Sequence, residues 1–174
     1  MTLQNLTLVL GGASSGKSAH AETLVTATGR PRVYIATAEA WDAEMTAKIA
    51  RHRAQRGPAW RTLEAPRDLP AALATVTAEE AVLIDCATLW LTNLLLAEAD
   101  LAAAETALLA AIAACPAPVV IVSNEVGQGI VPDNALARRF RTAQGGLNQR
   151  LAARAARVVA VLAGLPLTLK PAPA

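Results

Sequence analysis

Short apolar runs of strand length alternate along the chain with longer stretches of helical periodicity. Leu6–Leu10, Arg32–Ala36, Ala81–Asp85, Val119–Ser123 and Val158–Leu162 are compact runs without in/out alternation, the pattern of strands buried on both faces. Between them lie predicted helices at about Lys17–Thr28, Asp42–Arg56, Leu69–Val76, Thr88–Ala97, Asp100–Ala114 and Ala135–Ala156. Strands alternating with helices imply βαβ crossovers, hence an α/β fold with a mainly parallel sheet and helices on its faces. Gly164-Leu165-Pro166 can turn the chain back, which makes Leu167–Lys170 an antiparallel C-terminal edge strand, where a nearby proline is tolerated. No repeat, charge block or long linker interrupts the pattern. Residues 1–174 are expected to form one domain, with 171–174 an extended tail.

Composition narrows the class. Of the 174 residues, 53% are hydrophobic and 17% charged, enough apolar surface for a sizeable core, but only 3% are aromatic. That core is therefore built from Ala, Leu and Val. A net charge of +2 is too mild to point to a nucleic-acid partner, and few aromatics are present to stack bases. The longest apolar run, Ala107–Val122, is cut by Pro116 and Pro118 and falls short of the roughly 18 residues of a spanning helix. The N-terminus lacks a basic leader region, and Cys86 and Cys115 are too few for a disulfide framework or zinc site. A cytoplasmic protein without a membrane span is expected.

The strongest local signal is Gly11-Gly12-Ala13-Ser14-Ser15-Gly16-Lys17-Ser18, which fits G-x-x-x-x-G-K-[ST] with a strand before it and a helix after. Glycines let the backbone curl so that successive N–H groups meet phosphate oxygens, and the helix N-terminus adds its positive end. Lys17 is placed to reach the β- and γ-phosphates of a nucleoside triphosphate, and Ser18 to ligate Mg²⁺. The site calls for a second carboxylate at the end of a neighbouring strand. Asp85 supplies one if its strand lies beside the first; otherwise it caps the helix that follows.

His52 ends an apolar stripe of Trp41, Met45 and Ile49 and is flanked by Arg51, Arg53 and Arg56. Two readings stand side by side: an imidazole stabilised by the negative end of its helix, or a nucleophile set among cations that grip an incoming triphosphate. Like-charge repulsion from the arginines favours the neutral imidazole the second role needs. His20, in the first turns of the loop's helix, reads as a helix-surface residue. Asn124 and Glu125 open a glycine-punctuated loop running to Pro132, at a strand end where substrates collect in such sheets. Arg138, Arg139 and Arg141 follow on the next helix, as a solvated helix face or as part of that substrate edge.

With these residues in place, the chain resembles the bifunctional adenosylcobinamide kinase / adenosylcobinamide-phosphate guanylyltransferase family of cobalamin biosynthesis. The resemblance runs from about Leu8 to Lys170. Besides the phosphate loop it is carried by Tyr34-Ile35-Ala36-Thr37, Asp42-Ala43-Glu44-Met45, Ile49-Ala50-Arg51-His52-Arg53, Trp60-Arg61-Thr62, Thr92-Asn93-Leu94-Leu95, and Asn124-Glu125-Val126-Gly127 with Gly129-Ile130-Val131-Pro132. It implies a RecA-like P-loop NTPase that assembles as a homotrimer and uses GTP, ATP and Mg²⁺. It implies phosphorylation of the aminopropanol hydroxyl of the corrinoid adenosylcobinamide. It further implies transfer of GMP from GTP, through a GMP-histidine intermediate, to adenosylcobinamide phosphate, giving adenosyl-GDP-cobinamide and pyrophosphate.

Residue by residue, the resemblance makes His52 the guanylylated histidine and Gly11–Ser18 the phosphate loop. Ala36, Thr37 and Ala38, then Arg53, Ala54, Gln55 and Arg56, then Glu64 and Asp85 fall where the family touches nucleotide. Arg51 stands where some relatives carry a second histidine, so His52 is left as the candidate nucleophile. Ser14 stands where an arginine is often seen, and Asp85 where some members have the longer glutamate. Two other classes compete: a P-loop kinase of another small alcohol with a structural His52, and a nucleotide-dependent interaction module.

Overall fold

A computed structural model describes residues 6–39, 46–47 and 57–171. Its elements are β1 (Leu6–Gly11), α1 (Lys17–Thr26), β2 (Arg32–Ala36), β3 (Trp60–Glu64), α2 (Leu69–Leu73), β4 (Ala81–Asp85), α3 (Ala87–Leu96), α4 (Leu101–Ala114), β5 (Val119–Asn124), α5 (Ala135–Arg154), β6 (Arg157–Leu162) and β7 (Leu165–Lys170). The seven strands form one sheet in the order β3-β2-β4-β5-β1-β6-β7. Every pairing is parallel except β6–β7. The predicted Asp42–Arg56 helix lies outside the described residues apart from Thr46 and Ala47, which are helical.

Alternate strand residues feed two cores, as the two-residue period of a strand requires. Leu8, Ile35, Ile84 and Ile121 face one side, where Leu69, Trp90, Leu91, Leu108 and Leu147 of α2 to α5 cover them. Val9, Tyr34, Leu83, Val122 and Val159 face the other side, packed by Ala21, Leu24 and Val25 of α1. Helices on both faces explain why the central strands read as unbroken apolar runs. Asp68, Asp100 and Asn134 cap α2, α4 and α5, their side-chain oxygens accepting from Ala71, Ala103 and Ala137 N–H groups. Such caps are worth about 1 kcal/mol each.

Two features differ from expectation. β3 went unpredicted because it is an edge strand, with exposed Arg61 and Glu64 interrupting its apolar content. It is held by Trp60, whose ring meets Tyr34 edge-on at 6.1 Å between centroids and carries the Arg32 guanidinium 5.4 Å from its centre. Arg61 pairs with Glu80 at 3.0 Å, tying the edge to the turn before β4. The C-terminal hairpin also turns earlier than expected. Ala163 and Gly164 both have positive φ, 50° and 80°, the requirement of a two-residue primed turn. β7 therefore starts at Leu165, and Pro166 lies within it opposite Val161, tolerated because β7 is an edge.

Gly145 lies within α5 with open space where a Cβ would stand. Gly145→Ala should raise stability by about 0.5–1 kcal/mol through reduced chain entropy in the unfolded state, as read by urea denaturation. An unchanged or lower midpoint would contradict the open-space geometry.

Candidate active site

The phosphate loop is shaped by crowding beneath it and by donors that occupy its carbonyls. A Cβ on Gly11 would stand 2.4 Å from Ser15 Oγ and 2.7 Å from the Val161 carbonyl oxygen, so only glycine fits where β1 passes under the loop. Gly16 has φ 91° and is the N-cap of α1, a left-handed geometry natural to glycine. The carbonyls of Gly11, Gly12, Ser15 and Gly16 accept from the N–H groups of Glu125, Ser15, Gly164 and His20. Lys17 Nζ also donates to the Gly12 carbonyl at 3.0 Å. Four of the loop's carbonyls are thus occupied, and toward an anion the loop can present N–H groups and the Lys17 charge, together with the positive end of α1.

Ala36, Glu64 and Asp85 are partners in register across β2, β3 and β4, at the same carboxyl edge as the loop. Asp85 does not lie on a strand beside β1, as expected. β5 intervenes, so two strand spacings, about 10 Å, separate the β4 and β1 backbones. Asp85 is not the cap of α3 either. Cys86 is, its Sγ accepting from the Leu89 N–H at 3.5 Å. Tyr34 donates its hydroxyl to Asp85 Oδ2 at 3.0 Å, fixing the carboxylate from the neighbouring strand.

Burial, with the Asp85 carboxylate adding, pushes the Cys86 thiol up to about 11 against the opposing pull of backbone N–H groups and Lys17. Cys86 is thus a neutral cap and no thiolate nucleophile. His20 is half-buried rather than a surface residue, and its Nε2 is sealed from solvent with no hydrogen-bond partner among the described residues. Burial, helped by Arg157, lowers its pKa, so it is neutral near pH 7.

Two buried polar clusters hold the strand ends; the sequence singled out Thr37, Asn93 and Asn124 but not the hydrogen bonds that join them to their neighbours. Thr37 Oγ1 accepts from the Cys86 N–H and donates to the Cys86 carbonyl, both at 2.7 Å. Asn93 of α3 donates through Nδ2 to the carbonyls of Thr37 and Pro66. At the next strand, Ser123 Oγ donates to Asn148 Oδ1 at 2.6 Å, Gln144 Nε2 donates to both, and Asn148 Nδ2 donates to the Asn124 carbonyl. Asn124 N–H in turn donates to Thr88 Oγ1 at 2.7 Å. The one signal that could have found the amides is their placement: Asn93 is the lone amide in a helix of Ala, Leu, Trp and Thr, and Gln144 and Asn148 are spaced by four on α5.

Arg138 and Arg139 lie on the exposed face of α5, as one of the two readings expects, and two of the three arginines also tie down the preceding loop. Arg141 donates to the Gly127 and Ile130 carbonyls and Arg138 to those of Pro132 and Asp133, stapling the loop after β5 to its helix. Beside the carboxyl ends of β2 and β3, a cavity of about 670 Å³ is lined by Glu39, Glu64, Pro66 and Arg67, with Arg67 paired to Glu39 at 3.2 Å. His52 and its neighbours Arg53, Ala54, Gln55 and Arg56 lie outside the described residues.

The family model for cobinamide kinase / cobinamide phosphate guanyltransferase matches residues 7–169. The bifunctional adenosylcobalamin biosynthesis protein CobP of Pseudomonas aeruginosa is 47% identical over 169 residues, covering 95% of this chain and 98% of its own. The bifunctional protein CobU of Salmonella typhimurium is 46% identical, covering 94% and 98%, and that of Escherichia coli is 44% identical with the same coverage. Among solved structures, the flagellar accessory protein FlaH of Methanocaldococcus jannaschii aligns with TM-score 0.53 at 12% identity over 98% of this chain and 80% of its own. The RadB recombinase aligns with TM-score 0.50 at 18% identity over 91% and 74%. At such identities these two establish the fold alone, a RecA-like mainly parallel sheet.

Gly11→Ala should force the loop off the Val161 carbonyl, lowering stability by about 1–3 kcal/mol and weakening triphosphate binding. Chemical denaturation and nucleotide titration measure both; wild-type behaviour in the two assays would remove the crowding argument.

Proposed function

The chain belongs to the cobinamide kinase / cobinamide phosphate guanyltransferase family, and on that premise we propose how its residues divide the two reactions. It is a bifunctional enzyme of cobalamin biosynthesis, a kinase and a guanylyltransferase. The observation that carries this is the family match over residues 7–169, together with relatives covered over 98% of their length.

In the kinase step, the aminopropanol hydroxyl of adenosylcobinamide attacks the γ-phosphorus of ATP or GTP, and the nucleoside diphosphate leaves. Gly11, Gly12, Ala13, Ser14, Ser15 and Gly16 cradle the phosphates, and Lys17 meets the charge that spreads over the transferred group. In the transferase step, the His52 imidazole attacks the α-phosphorus of GTP. An N–P bond forms, the bond from the α-phosphorus to the bridging oxygen breaks, and pyrophosphate departs. A phosphate oxygen of adenosylcobinamide phosphate then takes the GMP and frees the histidine, giving adenosyl-GDP-cobinamide.

Ala36, Thr37, Ala38, Glu64 and the stretch Arg53, Ala54, Gln55 and Arg56 hold the nucleotide beyond its phosphates. Ser18 and Asp85 are hard oxygen donors suited to Mg²⁺, which they would hold directly or through water, and which when bound neutralises phosphate charge. Residence in the cytoplasm, assembly as a homotrimer and a single domain over residues 1–174 belong to the same reading. No helix among the described residues is long and apolar enough to cross a membrane.

Incubation with GTP and Mg²⁺ should add one GMP to the intact protein, in a bond labile to acid and stable to base, as read by mass spectrometry. His52→Ala should lose that adduct entirely; full labelling of the variant would remove His52 from its role. Lys17→Ala should lower both kinase and guanylylation rates by about 10²–10³-fold, since one loop grips the triphosphate in each. Steady-state rates near wild type in either assay would contradict a shared cradle.

A further inference from the structure

Asn93 is the buried amide of α3: its exposure is 1%, in a helix packed by Trp90, Leu91, Leu94 and Leu95. An amide in that setting persists only if its hydrogen bonds repay its desolvation. Both protons of Nδ2 are used, on the Thr37 carbonyl at 2.8 Å and the Pro66 carbonyl at 2.9 Å. Because both partners are acceptors, only the amino end can face them, so the orientation of the amide is fixed. Its Oδ1 is buried with no partner among the described residues. A group selected for stability alone would not leave that oxygen unpaired.

The two carbonyls belong to different segments. Thr37 follows β2 and Pro66 follows β3, and the segments run side by side from the in-register pair Ala36 and Glu64. Ala65 N–H donates to the Ala36 carbonyl at 2.8 Å, and Trp90 Nε1 holds the Arg67 carbonyl at 2.8 Å, so the strand ends are tied below and beyond the amide. Between those ties, the described hydrogen bond that spans from Thr37 to Pro66 runs through Asn93. We propose that Asn93 is a positioning residue for the nucleotide: one amino group fixes the spacing of the segments that present Ala36–Ala38 and Glu64. This rests on the reading above that those residues hold the nucleotide beyond its phosphates. Asn93 acts on the nucleoside end of the ligand, and the phosphate loop, anchored by β5 and the β6–β7 hairpin, is independent of it.

The test compares GTP with inorganic tripolyphosphate, which needs the phosphate loop alone. Asn93→Leu, similar in size and without donors, should bind GTP about tenfold more weakly, the loss of two hydrogen bonds, with tripolyphosphate affinity unchanged. General loosening of the fold would weaken both ligands. Asn93→Asp sets a carboxylate against two carbonyls; GTP affinity relative to wild type should recover between about pH 8 and pH 6 as the buried acid protonates and regains one donor. Should Asn93→Leu fail to fold, Asn93→Ser, with a single shorter donor, carries the same comparison.

A folded Asn93 variant that binds GTP like wild type, alongside a Glu64→Ala variant that binds it weakly, overturns the positioning role alone. If Glu64→Ala also binds GTP normally, the assignment of these segments to the nucleotide fails, and the positioning role falls with it. Equal losses for GTP and tripolyphosphate in the Asn93 variants would mark the residue as structural only.

Discussion

The chemistry of this fold depends on how the backbone between Gly11 and Lys17 is kept open to an anion. A peptide loop offers as many carbonyls as N–H groups, and carbonyls repel phosphate. Here four of the carbonyls, those of Gly11, Gly12, Ser15 and Gly16, are occupied by donors from three directions: Glu125 after the end of β5, Gly164 at the tip of the β6–β7 hairpin, and the loop and α1 themselves. The hairpin, remote in sequence, is thus part of the phosphate site. Its Val161 carbonyl sets the floor under Gly11, and Gly164 sits so close that a Cβ on Gly16 would come within 3.1 Å of its Cα.

The rest of the carboxyl edge follows a similar logic with side chains in place of backbone. Parallel strands end together but are not joined there, so the segments that leave them need external ties. Asn93 and Thr37 serve β2, β3 and β4; Ser123, Gln144 and Asn148 serve β5. Both clusters come from helices on the same face of the sheet, α3 and α5, and Thr88 of α3 also holds Asn124. Placing amides in a core otherwise made of Ala, Leu and Val opposes folding unless nearly every proton is matched. In these clusters every buried donor nitrogen has an acceptor, and among the described residues the Asn93 Oδ1 and Gln144 Oε1 oxygens are left unmatched. The result is an edge where the positions of Ala36, Glu64, Asp85 and Gly11 are set by hydrogen bonds rather than by apolar packing, which tolerates sliding.

Asp85 shows how strand order changes the geometry that a strand-end acid brings to a site. Its place after four apolar residues marked it as the strand-end acid, and the alternative, a helix cap, is taken by Cys86. Its strand, however, is not next to β1. β5 lies between them, and Tyr34 from β2 holds the carboxylate in place.

Local chemistry determined what could be read from the chain by itself. Six of the seven strands, the antiparallel C-terminal one among them, the described helices Lys17–Thr26, Leu69–Leu73, Ala87–Leu96, Leu101–Ala114 and Ala135–Arg154, and the glycine-rich loop were legible, because apolar runs, helical period and the G-x-x-x-x-G-K-S spacing are properties of neighbouring residues. The motifs around His52 and Asn124 were legible as resemblance. Tertiary structure alone decided the strand order, the edge strand β3 whose Arg61 and Glu64 disguise it, and the primed turn at Ala163-Gly164. It alone revealed that Arg138 and Arg141 serve a loop, and that Asn93, Gln144 and Asn148 face inward. Each of these depends on which distant segment becomes a neighbour, and a side chain's partner across the fold leaves no trace in the residues beside it.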